Sequence, residues 1–299
     1  MDLPMKAHLQ VVCFGEVLWD ILPDGPQPGG APLNVAYHLN KLGIASGIIS
    51  RIGRDENGTL LQQLMHKWKI NHQFLQVDET YPTGEVQASL SNGNEVGYQI
   101  VFPAAWDFIE AHTAALEQVA SAGYFIYGSL ASRNEATQHS VQRFLELDVF
   151  RVLDINLRYP FVKRSILHDL ITKADMVKLN EAELDVVQTV FGGNYGTERD
   201  KVEFIQDKFH IPEVLITKGE AGAAYYKGEE RFYHYGSAVE VKDTIGSGDS
   251  FLAAFIAGHA RGKHPHEILK NAITMGAFIA TQKGACPDYR LEEYLRFDA

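Results

Sequence analysis

Short apolar runs return along this chain at intervals that each leave room for a helix, and that alternation restricts its fold more than any other feature. The runs are Gln10 to Leu18, Ile48 to Ile52, Tyr124 to Tyr127, Arg151 to Ile155, Met176 to Leu179 and Val214 to Thr217. They are rich in β-branched and aromatic residues and read as buried strands, with helical patterns between most of them. A parallel crossover needs a helix-length connection, so this order predicts a doubly wound, mainly parallel α/β sheet with helices on both faces. In such sheets ligands bind beyond the carboxyl ends of the strands.

Two stretches break the alternation. Gly84 to Leu90 and Gly97 to Phe102 alternate polar and apolar residues around Asn92-Gly93, a favoured hairpin turn. A second hairpin is expected where Ala223 to Tyr226 and Arg231 to Tyr235 flank Lys227-Gly228. No Pro/Ser-rich linker divides the 299 residues, so one domain spanning 1–299 is the reading.

Composition narrows the class. Hydrophobic residues make up 45% and charged residues 22%, enough for a large core. With 27 Lys+Arg against 38 Asp+Glu, the net charge of −11 gives no overall field for nucleic acid or an anionic membrane. An apolar signal core at the start and an 18-residue apolar run are both missing, which leads to the expectation of a cytoplasmic protein without a membrane partner. Two cysteines, Cys13 and Cys286, make no disulfide framework and read as packed thiols.

The chemistry concentrates in Asp243-Thr244-Ile245-Gly246-Ser247-Gly248-Asp249, just before the apolar helical run Phe251 to Ala257. Gly246 and Gly248 let the backbone approach a ligand, and the unpaired N–H groups of a helix start can hold an oxyanion. Asp249 reads either as a first-turn acid or as a base taking the proton of an attacking alcohol. Earlier, Gly29-Gly30-Ala31-Pro32-Leu33-Asn34 makes a tight loop feeding a helix, where the Asn34 amide needs hydrogen-bond partners that a polyhydroxylated ligand would provide. Asp20 reads as a turn acid or a diol acceptor, and Arg158 in Asp154-Ile155-Asn156-Leu157-Arg158 as a surface ion pair or a phosphate donor. Asn180 and Glu183 have the spacing of a capping box, while Thr217-Lys218-Gly219 suits a glycine turn. The stretch Asn271 to Ala285 is small and apolar enough for a nucleotide base to lie against.

The segments at 29–43 and 243–249 resemble the N-terminal and C-terminal signatures of the PfkB, or ribokinase-like, family of carbohydrate kinases. The resemblance runs from Gly15 to Ala285, and Gly15-Glu16-Val17-Leu18-Trp19-Asp20 matches the opening of fructokinase-like members. It implies a β-lid over the sugar, contributed mainly by 84–103 with part of 16–30. It also implies Asp249 as base, Gly246, Ser247 and Gly248 as the anion hole, and Asp20, Gly30, Asn34 and Arg158 at the sugar. Asn180, Thr217, Lys218, Gly219 and Asn271 would attend the nucleotide, with Asn180 and Glu183 positioning hydrated Mg2+. Family members often respond to K+ near the Asp243 loop, and a lid edge can serve a homodimer.

The activity so implied is ATP-dependent phosphorylation of a sugar, with D-fructose to fructose 6-phosphate favoured. Kinases acting on 2-keto-3-deoxygluconate, ribose or a nucleoside, and a binding protein that no longer turns over, are the competing readings. A nicotinamide dehydrogenase is disfavoured by the lack of Gly-x-Gly-x-x-Gly.

Overall fold

The structure, a computed structural model, describes residues 9–90, 96–236 and 238–297. Among them, nine strands form one sheet: β1 (Val11–Phe14), β4 (Ser46–Gly53), β5 (Asn71–Asp78), β8 (Tyr124–Gly128), β9 (Phe150–Asp154), β10 (Met176–Asn180), β11 (Glu213–Thr217), β12 (Ala223–Lys227) and β13 (Glu230–His234). Their spatial order is β13-β12-β11-β10-β9-β8-β1-β4-β5. All neighbours from β5 to β11 are parallel, and only β12 and β13 run antiparallel, as the hairpin around Lys227-Gly228.

Period-two alternation buries both faces. Val12, Phe14, Phe125, Tyr127 and Leu153 point to one core with helices α3 (Thr113–Ala120), α4 (Glu135–Leu145), α5 (Arg164–Thr172), α6 (Glu181–Val190) and α7 (Glu198–Phe209). Val11, Cys13, Ile126, Val152 and Met176 point to the other. That side is covered by α1 (Ala31–Lys41), α2 (Glu56–Lys67), α8 (Ser247–Ala260), α9 (Pro265–Ala280) and α10 (Leu291–Leu295). The chain steps from β1 outward to β4 and β5, then returns to the far side of β1 and continues through β8 to β11. The crevice opened by that reversal is the ligand position of an open α/β sheet.

A second, four-stranded sheet, ordered β3-β2-β6-β7, stands apart: β2 (Leu18–Leu22), β3 (Gly25–Gly29), β6 (Gly84–Leu90) and β7 (Val96–Ile100). The strands β6 and β7 are the expected hairpin, while its Asn92-Gly93 turn lies outside the described residues. Two expectations are corrected. The run Gln10 to Leu18 is not one strand: at Gly15, with φ +139°, the chain leaves the central sheet, and Leu18 opens a strand of the lid. The glycine- and proline-rich stretch Asp24 to Pro32 reads from its composition as a loop, but β3 occupies most of it. Pro26 and Pro28 are tolerated there since β3 is an edge strand with an unpaired side.

Candidate active site

The carboxyl ends of β1, β9, β10 and β11, the start of α8 and the inner face of the lid enclose a cleft of about 740 Å3. Leu18, Asp20 and Leu22 from β2, Val86 and Ile100 form its lid wall, and Gly30, Asn34, Asn156, Arg158, Asn180, Glu183 and Asp249 line the rest. A narrower chamber of about 320 Å3 continues past Thr217, Thr244 and Gly248 to a wall of Phe251, Ile273, Gly276, Ala277 and Ala280.

Asp249 occupies the first turn of α8 and lines the larger cleft, one residue after Gly248, which borders both chambers. Its Oδ2 accepts from Asn34 Nδ2 at 2.8 Å, and Asn34 Oδ1 in turn accepts from the Cys286 thiol at 3.3 Å. The Asn34 amide therefore finds its partners within the protein, and Cys286, read as a packed thiol, orients it. Burial and the charge of Asp154 push the Asp249 carboxyl up to about 6, against the pull of Lys178, Asn34 and Arg158.

Gly246 caps α8 at φ +76°, and a Cβ there would lie 2.6 Å from Ala285 Cα, so only glycine fits. At Gly248 a Cβ would meet Lys178 Nζ at an ordinary 3.5 Å; what glycine provides here is a bare amide. Neither the Gly246 nor the Gly248 N–H has an acceptor among the described residues. Ser247 differs from the expectation: its N–H turns to Thr244 O at 3.3 Å and its hydroxyl donates to Gly276 O at 3.0 Å, pinning α8 to α9. The Asp243 carboxylate staples the loop through Ile245 N and Gly284 N.

Arg158 is exposed to the cleft and forms no ion pair among the described residues; its Nη1 donates to Leu157 O. It follows Asn156, held at φ +40°. Asn180 and Glu183 form the full capping box of α6, and Glu183 Oε1 also accepts from Leu157 N at 2.9 Å, fixing the Arg158 loop. Burial raises the Glu183 carboxyl above its ordinary value. Asp20 is raised to about 6 by burial, opposed by Arg158 and reinforced by Asp249 and Asp243.

Two expected nucleotide residues stand elsewhere. Lys218 gives its ammonium to Glu198 and lies over the Tyr233 ring, leaving Thr217 and Gly219 on the chamber wall. Asn271 lies on the opposite face of α9 from Ile273, Gly276, Ala277 and Ala280, because two residues turn a helix by about 200°. It borders a groove with Tyr294, whose hydroxyl donates to Asn271 O.

Sequence reasoning missed Lys178. Its ammonium donates to both Asp154 oxygens at 2.9 and 2.8 Å and lines the cleft. Burial opposes its charge, yet Asp154 and Asp249 hold its pKa above the ordinary value. A lysine within the apolar run Met176 to Leu179 was the available signal, since a buried cation requires an anion nearby.

A recessed carboxylate one residue after Gly248, where a polar and an apolar chamber adjoin, suits transfer of a phosphoryl group to an alcohol. The family description "pfkB family carbohydrate kinase" matches residues 25–290, and the chain belongs to that family. Fructokinase of Escherichia coli is 29% identical over 306 residues, covering 94% of this chain and 95% of that protein. Fructokinase of Klebsiella pneumoniae is 29% identical over 294 residues, covering 91% and 93%. Among solved structures, Vibrio cholerae fructokinase with fructose, ADP and calcium superposes with a TM-score of 0.81 at 24% identity, covering 98% of this chain and 99% of that one. An E. coli structure described as a Ribokinase II, in complex with ATP and Mg2+, gives 0.84 at 22% identity, covering 97% and 98%. These likenesses confirm the ribokinase-like fold. Among the described residues no helix is long and apolar enough to cross a membrane.

Proposed function

We propose that this chain transfers the γ-phosphoryl group of ATP to the primary hydroxyl of D-fructose, giving fructose 6-phosphate and ADP. The observation that carries this reading is Asp249, which lines the lid-covered polar chamber one residue after Gly248, where the apolar chamber of α9 begins. The fructokinase relatives and the fructose and ADP held by the V. cholerae structure support the choice of sugar.

The sugar lies under the lid against Asp20, Gly30 and Asn34, and the adenine against Ile273 and Ala277. Asp249 accepts the hydroxyl proton as that oxygen bonds to the γ-phosphorus and the bond to the β-phosphate oxygen breaks. The Gly246 and Gly248 amides and Arg158 meet the negative charge of the migrating group with dipoles and a guanidinium already in place. With a carboxyl that titrates at about 6, Asp249 is mostly ionised at neutral pH and able to act as a base.

Asn180 and Glu183 fit a hydrated Mg2+. Each Glu183 oxygen, though bonded to a main-chain N–H, keeps a lone pair for a water of the ion, and so does the Asn180 amide oxygen that accepts from Glu183 N. Held there through water, the ion would supply positive charge against the nucleotide phosphates. Closure of the lid sheet excludes water that would otherwise take the phosphoryl group.

A coupled ADP-release assay over a panel of D-fructose, ribose, 2-keto-3-deoxygluconate and nucleosides tests the reading. The highest kcat/KM is expected with D-fructose; preference for another alcohol overturns the sugar, and binding without ADP release overturns the reaction.

A further inference from the structure

Glu16 is a cleft carboxyl that the proposed reaction does not use. It stands in the link between β1 and β2, where the chain leaves the central sheet for the lid, and it lines the cleft although only 3% exposed. Its Oε2 is buried without any hydrogen-bond partner. Its main chain is fixed as well: Gly30, at φ +107°, packs so closely that a Cβ would collide with the Glu16 carbonyl oxygen.

An ionised oxygen recessed in the cleft wall with no donor is an unfavourable arrangement, whereas a protonated one is itself a donor seeking an acceptor. The surroundings favour the proton. Burial pushes the Glu16 carboxyl up to about 7, the main-chain N–H groups of Glu16 and Ala31 and the Arg158 guanidinium oppose the rise, and Asp249 adds to it. Across the same cleft stand Asp20, Asp243, Glu183 and the Lys178–Asp154 pair, so the carboxyls facing Arg158 outnumber it. A polyol offers what the site lacks, an oxygen able to accept from Glu16.

We propose that Glu16 is a specificity-determining residue that keeps its proton and donates it in a hydrogen bond to an oxygen of the bound sugar, so that sugar binding, unlike ATP binding, takes up a proton. This rests on the sugar-kinase reading and deepens it. Asp249 must lose its proton to act while Glu16 must keep its own, and kcat/KM for the sugar therefore rises with pH through one group and falls through the other.

The test follows the KM for sugar and for ATP from pH 6 to 9 in the wild type, Glu16→Gln and Glu16→Ala. In the wild type the sugar KM is expected to rise about tenfold per pH unit once Glu16 ionises, with the ATP KM unchanged. Glu16→Gln keeps a neutral donor, so its sugar KM should stay flat within about threefold, and Glu16→Ala should raise it at least about tenfold even at low pH. Titration calorimetry of D-fructose at pH 8, in buffers of different ionisation enthalpy, should show proton uptake by the wild type and none by Glu16→Gln. An unchanged ATP KM certifies that the variants are folded. If the panel assay names a different acceptor sugar, that sugar replaces fructose in the titration, so an error over fructose leaves the Glu16 result readable. A wild-type sugar KM indifferent to pH, or a Glu16→Gln profile matching the wild type, overturns the proposal.

Discussion

The two chambers of the cleft share a boundary at Thr217, Thr244 and Gly248 and differ in almost every physical respect. Beneath the lid the walls carry Glu16, Asp20, Asp249 and Arg158, charges crowded enough that burial raises all three carboxyls. Along α9 the wall is Ile273, Gly276, Ala277 and Ala280, without a charged group. On the proposed function, the polar chamber is the one suited to a polyol, which is recognised through directed hydrogen bonds. A base is recognised largely by a flat apolar surface, and small residues at helical spacing suffice for it.

This division can be broken at its most charged point. Lys178→Met leaves Asp154 buried without its counter-charge and removes a cation that holds the Asp249 pKa down. A loss of about 3–5 kcal/mol is expected in denaturant unfolding. A loss below about 1 kcal/mol would mean that the pair is not what allows carboxylates to gather there. The apolar side gives a smaller response. Ala277→Leu intrudes on the 320 Å3 chamber and should raise the ATP KM about tenfold, roughly 1.4 kcal/mol, with the sugar KM within about twofold. Asn271→Ala, on the far side of the same helix, should leave both KM values within about twofold; an ATP effect equal to that of Ala277→Leu would invert the assignment of the α9 faces.

The same contrast decides what the sequence disclosed. Glycines with a positive φ, such as Gly30 and Gly246, leave a local signature, and strands buried on both faces, such as Val214 to Thr217, read as unbroken apolar runs. The glycine loop proposed as the anion site and the carboxylate proposed as the base were therefore legible as local features. Residues whose role depends on phase or on distant partners were not. Asn271 lies on the face of α9 turned away from the proposed nucleotide chamber, and Lys218 follows Thr217 with its ammonium drawn to Glu198. The Asp249–Asn34–Cys286 link joins positions 215 and more residues apart, which no local spacing reveals. The break at Gly15 was hidden because apolar residues continue into the lid strand.

The most direct measurement of the central claim is turnover of Asp249→Asn at pH 8 with saturating sugar and ATP. In the native protein the Asp249 carboxyl is raised from 3.8 to about 6, so the folded state keeps the proton longer than the unfolded chain. Ionisation through that window weighs against folding, and the penalty persists at all higher pH. The variant should therefore melt a few degrees higher than the wild type, keep both KM values within a few-fold, and lose at least about 10²-fold in kcat. A folded variant that retains kcat within about threefold would show that Asp249 is not the base, whatever its position in the cleft.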